Sequence, residues 1–249
     1  MKSRHAKNFF LIVLGLALLI SITLNFSFFQ LATNYYKEAN EIRLNPLSLY
    51  LYPTRPTVKP NDRILVFFGD SRARAWTLTT KTPFQIANRG IDAQTSAQVA
   101  ARFDQHIAPL RPQIILVQVC INDLKTIPVF SEDKQGIIAN CKANLKQIID
   151  KAVQQNSLVI LTTIFPLGRV SLERRLFWSD DVGIAIADVN KYIHSLAAES
   201  VFIFDSFAIL ADNTGAVRAE YQGDLLHINQ AGYDALNIEL ERLLVTFAK

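Results

Sequence analysis

Five short uncharged or nearly uncharged runs recur along the C-terminal three quarters of the chain, at residues 64–68, 84–88, 114–119, 158–164 and 201–204. They are rich in Ile, Val, Leu and Phe and stop at Gly, Asn, Asp, Cys or Pro, which is the pattern of strands buried on both faces. Between them the apolar residues change period. Val99, Phe103 and Ile107 share one face of a helix expected over 93–108, and Ile137, Cys141, Leu145, Ile148 and Ala152 do so over 132–155. A short helix is expected from Ser71 towards Thr77, and a longer helical excursion over 170–198. A last helix comes after the N-cap candidate Asn229, with Leu236, Leu240, Leu243 and Phe247 at helical spacing. Strands alternating with helices predict a parallel sheet covered on both sides, hence a three-layer α/β domain over 63–249.

A different pattern opens the chain. Residues 9–31 carry no charge and are apolar all round, long enough to span a bilayer. Lys2, Arg4 and Lys7 precede this stretch without an acidic residue, whereas Lys37, Glu38, Glu41 and Arg43 balance beyond it. The positive-inside bias therefore predicts residues 1–8 as a cytoplasmic tail, 9–31 as a transmembrane helix and the remainder outside the cytoplasm. No small-residue cleavage pattern comes after it, so an uncleaved signal anchor is favoured over a signal peptide. Residues 32–62 read as a connector, extended from 37 onward because Pro46, Pro53, Pro56 and Pro60 interrupt it.

Charge then changes the picture little. The 26 Lys and Arg against 22 Asp and Glu suggest a basic protein. Once the basic tail is set aside the exported part is nearly neutral, and nucleic-acid binding is not expected. Cys120 ends a strand while Cys141 lies on the buried stripe of the next helix. If that helix runs straight back along the strand, Cys141 falls more than two turns below Cys120, too far for a disulfide. Two buried thiols are the expectation. His106 and His194 fall within expected helices without ligand-spaced partners and are expected to be solvated, so no metal site and no cofactor is anticipated. Arg72 and Arg74 are expected on a helix surface, and Arg169, Arg174, Arg175, Phe177 and Trp178 at the rim of a pocket.

The residues just past the strand ends carry the chemistry. Ser71 comes after the first strand, Asn88 and Gly90 after the second, Asn122 and Asp123 after the third, and Asp224 and His227 precede the last helix. Parallel strands gather such loops at one sheet edge, where ligands of open α/β folds bind. There Ser71 is a nucleophile needing a base, His227 is that base, and Asp224 is placed to orient the imidazole. The N–H groups of Ser71 and Gly90 and the amide of Asn122 are candidate oxyanion donors.

Four blocks in this order make the chain resemble the SGNH hydrolases, also called GDSL esterases and lipases. They are Gly69-Asp70-Ser71, Asn88-Arg89-Gly90, Cys120-Ile121-Asn122-Asp123 and Asp224-Leu225-Leu226-His227. The resemblance implies a flavodoxin-like fold with a five-stranded parallel sheet, Ser71, Gly90, Asn122 and His227 in the family's four roles, Asp224 completing a triad, and a structural Asp70. Cys120 departs from it, standing where the family has glycine. A membrane-anchored serine esterase acting on an acylated lipid or saccharide is the expected function. An O-acyltransferase on envelope polysaccharide, or a catalytically silent scaffold, are the alternatives.

Overall fold

A computed structural model describes residues 2–52, 63–78 and 82–247. The chain divides into two compact units, Met1–Ser48 and Leu49–Lys249. The first is dominated by helix α1 (Lys2–Leu44), whose apolar side chains from Phe9 to Leu31 are exposed all round. It is long and apolar enough to cross a membrane. The extended backbone expected from residue 37 is not found among the described residues: the helix runs to Leu44, and a turn and a 3-10 turn (Leu49–Leu51) come after it. Lys37–Arg43 contains no proline or glycine, and the helix therefore propagates to the last residues before Pro46. The expectation for 53–62 falls outside the described residues.

The second unit holds a five-stranded sheet, entirely parallel, in the order β2-β1-β3-β4-β5. The strands are β1 (Ile64–Gly69), β2 (Gln85–Gly90), β3 (Ile114–Gln118), β4 (Leu158–Thr162) and β5 (Val201–Phe204). β1 and β3 are buried throughout because helices cover both faces. On one face α3 (Ser96–Ala101), α4 (Phe103–His106), α6 (Lys134–Gln154) and α7 (Asp181–Ser195) meet Val66, Phe68, Ile115, Val117, Val159 and Leu161. On the other, α9 (Gln230–Phe247) and the residues after α2 (Ser71–Ala75) enclose Leu65, Phe67, Leu116 and Ile160 around Trp76. Two short helices, α5 (Ile121–Leu124) and α8 (Ser206–Leu210), come directly after β3 and β5.

The cysteines are joined, contrary to expectation. Cys120 and Cys141 form a disulfide with Cα atoms 5.7 Å apart. The chain does not turn straight from β3 into α6. Residues 121–133 first carry it beyond the sheet edge through α5 and a 3-10 turn. Two turns of α6 then return Cys141 to the level of Cys120. His106 also departs from expectation: it is buried, with its Nδ1 3.1 Å from the Arg102 guanidinium and its ring edge-on to Tyr52. His194 is half-exposed, 3.5 Å from Asp205. Tyr52, from the expected connector, belongs to this unit and donates its hydroxyl hydrogen to Gly90 O at 2.7 Å.

Candidate active site

The first loop is shaped by a lack of space. A Cβ on Gly69 would stand 1.8 Å from Gln118 O, so only glycine lets β1 end against β3 there. Asp70 then caps α2, its Oδ1 accepting the Arg72 N–H at 2.9 Å. Ser71 is the first residue of that helix, and its own N–H has no protein partner among the described groups, as first-turn amides do not.

The loop before α9 supplies the partners. Ser71 Oγ lies 2.9 Å from His227 Nε2, and His227 Nδ1 lies 3.0 Å and 3.1 Å from the two oxygens of Asp224. An ionised carboxylate only accepts, so the imidazole carries its proton on Nδ1 and offers Nε2 to the serine hydroxyl. Asp224 Oδ1 also accepts the N–H groups of Leu226 and His227 at 2.7 and 2.8 Å. Burial raises the Asp224 carboxyl, but these hydrogen bonds outweigh it and hold the group below the ordinary carboxylate range.

Arg72 is not on the surface. It is fully buried, its Nε donating to Leu226 O at 2.8 Å and its guanidinium lying 5.0 Å from the Phe165 ring centroid. The residue after Ser71 thus holds the carbonyl preceding His227. Burial lowers the Arg72 pKa to about 10, and raises that of the equally buried Asp70 to about 6 against the pull of Arg72. Arg74, by contrast, is exposed and paired with Asp92.

The candidate oxyanion donors divide. Asn122 is buried, donates one amide hydrogen to Gln94 O at 3.0 Å, and lines the same cavity as Ser71 and His227. Gly90 does not line it. Its N–H already donates to Asn88 Oδ1 at 2.8 Å, and a Cβ there would stand 2.2 Å from Arg74 N. What Gly90 provides is room for α2. Asn88 adds a clamp by donating to Ala73 O and Arg74 O. Ala93, which no sequence motif marks, does line the cavity, in the left-handed region at φ 59°. Among the described hydrogen bonds its N–H has no acceptor. An alanine held at positive φ is costly and marks a backbone fixed by its surroundings.

Two further ties hold these loops. Asp123 accepts both the N–H and the hydroxyl of Ser96, at 2.8 and 2.6 Å, linking the third loop to the second. Arg102, fully buried, donates to Gly69 O and to Gln94 Oε1. Cys120, where the resembled family has glycine, adopts φ 86° just before Asn122. Its disulfide fixes the chain there. The cavity they frame measures about 430 Å³ and is walled by Ala75, Ile121 and Leu226, with Asp92 and Lys125 at its polar margin.

A five-stranded parallel sheet with serine, imidazole and carboxylate side chains in contact past its carboxyl edge is the arrangement that the resemblance to SGNH hydrolases implies. A model of the GDSL-like lipase/acylhydrolase family matches residues 57–235, and the chain belongs to that family. It is therefore a hydrolase. Among solved structures, it resembles a GDSL-like lipase from Bacteroides thetaiotaomicron (19% identity, TM-score 0.61, covering 80% of this chain and 98% of the other). It also resembles an acetyl xylan esterase (18%, 0.56, 72% and 98%) and a catalytic mutant of an acetylxylan esterase from Geobacillus stearothermophilus (17%, 0.51, 75% and 95%). At these identities the likeness concerns the fold. No curated protein matches the sequence.

Proposed function

We propose that this hydrolase is a membrane-anchored serine esterase working outside the cytoplasm by two-step acyl transfer. The observation that carries it is the unbroken chain from Ser71 Oγ through His227 to Asp224, with contacts of 2.9 and 3.0 Å, opening on a cavity that also holds Asn122. His227 Nε2 takes the hydroxyl proton as Ser71 Oγ bonds to the ester carbonyl carbon. Negative charge developing on the carbonyl oxygen is met by the N–H of Ser71, the Asn122 amide hydrogen not used by Gln94, and the N–H of Ala93 in place of Gly90. The C–O bond to the leaving alcohol then breaks, and His227 gives that alcohol its proton. Water, deprotonated by the same imidazole, releases the acid from the acyl-enzyme.

Placement outside the cytoplasm is supported by the basic residues before the apolar part of α1 and by the Cys120–Cys141 disulfide, a bond that persists in oxidising compartments. Esters of acetylated saccharides are the substrate class suggested by the acetylxylan esterases among the structural neighbours.

The test is covalent. A fluorophosphonate should label the full-length protein, and p-nitrophenyl acetate should be hydrolysed. Ser71→Ala should abolish labelling and lower turnover about 10⁴-fold or more. Labelling that survives in Ser71→Ala would place the nucleophile elsewhere. Acyl transfer to an added saccharide in preference to water would turn the assignment from esterase to O-acyltransferase.

A further inference from the structure

The segment between β4 and α7 builds a cavity of its own. It measures about 570 Å³ and is lined by Arg169, Val170, Arg175, Trp178 and Asp180. We propose that this cavity is a saccharide subsite selecting uronic-acid units, so that the ester cleaved at Ser71 is carried on an anionic polysaccharide. The proposal rests on the serine-esterase reading and names its substrate.

Position comes first. Gly168 lies against the base loop: its N–H donates to Leu225 O at 2.9 Å, and a Cβ there would stand 2.3 Å from Asp224 O. The next residue, Arg169, donates its N–H to Gln222 Oε1 at 3.4 Å. The second cavity thus begins one residue from backbone contact with the loop carrying Asp224 and His227. A polymer lying in it would pass beside that loop, and the proposal places its ester group at Ser71.

Chemistry selects the ligand. Among the described residues neither Arg169 nor Arg175 has a carboxylate within ion-pair distance. Guanidinium forks match carboxylates in planar, bidentate geometry. Trp178 is half-buried and packed on the core between the sheet and its helices, which makes its indole a fixed apolar platform. Asp180 offers acceptors that a sugar hydroxyl can satisfy and a bare anion cannot. Two cations, one acceptor and one aromatic plane together suit a sugar carrying a carboxylate. The volume falls in the range of roughly 300–1,000 Å³ usual for small-ligand sites. The cavity at Ser71 differs. Its walls of Ala75, Ala93, Ile121 and Leu226 suit the acyl group.

The full-length protein in detergent micelles should be titrated with an unacetylated oligogalacturonate while tryptophan fluorescence is monitored. Trp76 is fully buried, which leaves Trp178 as the reporter, and Trp178→Phe should remove the signal. Saturable quenching is expected, weakened about tenfold in the double variant Arg169→Gln, Arg175→Gln and by a smaller factor in Arg169→Lys, Arg175→Lys, which keeps the charge but loses the fork, while a neutral xylo-oligosaccharide gives none. In turnover, the Gln variant should raise KM for acetylated oligogalacturonate about tenfold more than KM for acetylated xylo-oligosaccharide. Equal response to both sugars would overturn the proposal. So would arginine-dependent binding to phosphatidylglycerol vesicles without oligogalacturonate binding, a result the exposed Leu172 and Phe177 of this segment would then explain. The titration needs no turnover. Quenching without ester hydrolysis sinks the esterase reading alone, and hydrolysis without quenching sinks the subsite alone.

Discussion

The two halves of the candidate triad are held in opposite ways. Asp70, Arg72 and Ala73 around Ser71 have no exposure at all, and the flanking glycines leave no room for a methyl group. The Asp224 and His227 side chains are 59% and 42% exposed. Packing fixes the nucleophile. The candidate base is fixed by a handful of hydrogen bonds within 223–227, by the Gly168 N–H on Leu225 O, and by Arg72, which reaches across from the helix of Ser71 to Leu226 O. Interiors resist small changes of volume, whereas an exposed turn relaxes around them. Damage to the base loop should therefore cost rate with little stability, and damage around Ser71 should cost both.

Asp224→Asn is the sharpest break. The amide keeps the shape but favours the wrong imidazole tautomer, so kcat should fall about 10³–10⁴-fold. The melting temperature should fall by only a few degrees, since the amide oxygen still accepts from the Leu226 and His227 N–H groups and only the charge on those bonds is lost. Turnover close to that of the unaltered protein would remove Asp224 from the triad. A large loss of stability would show the loop to be as tightly built as the nucleophile turn.

Gly90→Ala probes the other half. Its new methyl meets the backbone of Arg74, which has nowhere to go, and α2 must shift with Ser71 on it. Overpacking of this kind costs about 1–3 kcal/mol, and a displacement of about 1 Å at the nucleophile costs about 10²-fold in rate. Gly183→Ala in α7 is the control, since a Cβ there meets nothing within 4 Å. It should stabilise by about 0.5–1 kcal/mol and leave kcat alone. If both variants behave alike, close approach at Gly90 is not what matters.

The disulfide belongs with the nucleophile half. Replacing both Cys120 and Cys141 by Ser should cost about 2–4 kcal/mol, as expected for closing a loop of 21 residues. Cys120→Gly with Cys141→Ala should cost less, because glycine accepts φ 86° without penalty. Chemical denaturation of the three proteins gives the order directly. A Gly/Ala variant no more stable than the Ser/Ser one would show that the positive φ carries little strain.

These contrasts also mark how much of the molecule is legible in its sequence. The strands are legible because uncharged runs stop at turn residues, and the site because strand ends share an edge. Ser71 and Asn122 emerge from that rule as candidates, and Asp224 and His227 from their spacing just before the last helix. Arg72 is not legible: its acceptors are carbonyls of Phe165 and Leu226, 93 and 154 residues away, and a carbonyl leaves no mark in a sequence. The disulfide escapes notice because its geometry depends on the path of residues 121–133. Gly90 reads as a donor only until the neighbouring Asn88 side chain, an Asx-type acceptor two residues earlier, is seen to claim its amide. The one local signal for Ala93 is its place just past the end of a strand.

A change with pH alone tests whether burial around Ser71 is as complete as the contrast requires. Asp70 Oδ1 accepts one backbone N–H, and Oδ2 has no partner among the described residues. Burial raises its carboxyl to about 6 from the usual 3.8. Between those values the folded protein binds more protons than the unfolded chain, so this group's contribution to stability falls as pH rises from about 4 to 6 and stays constant above. The full span corresponds to at most about 3 kcal/mol. His106, lowered to about 4 chiefly by burial and then by Arg102, acts with the opposite sign between about pH 4 and 6.5. It is present in both proteins of the comparison and cancels. Asp70→Asn keeps an acceptor for the Arg72 N–H but cannot ionise. Urea denaturation at pH 4, 5, 6 and 7 should therefore show the variant gaining on the unaltered protein as pH rises to 6, and no further gain beyond it. Parallel stability curves would mean that water reaches Asp70 in solution, and the buried turn would then differ from the exposed loop in degree only.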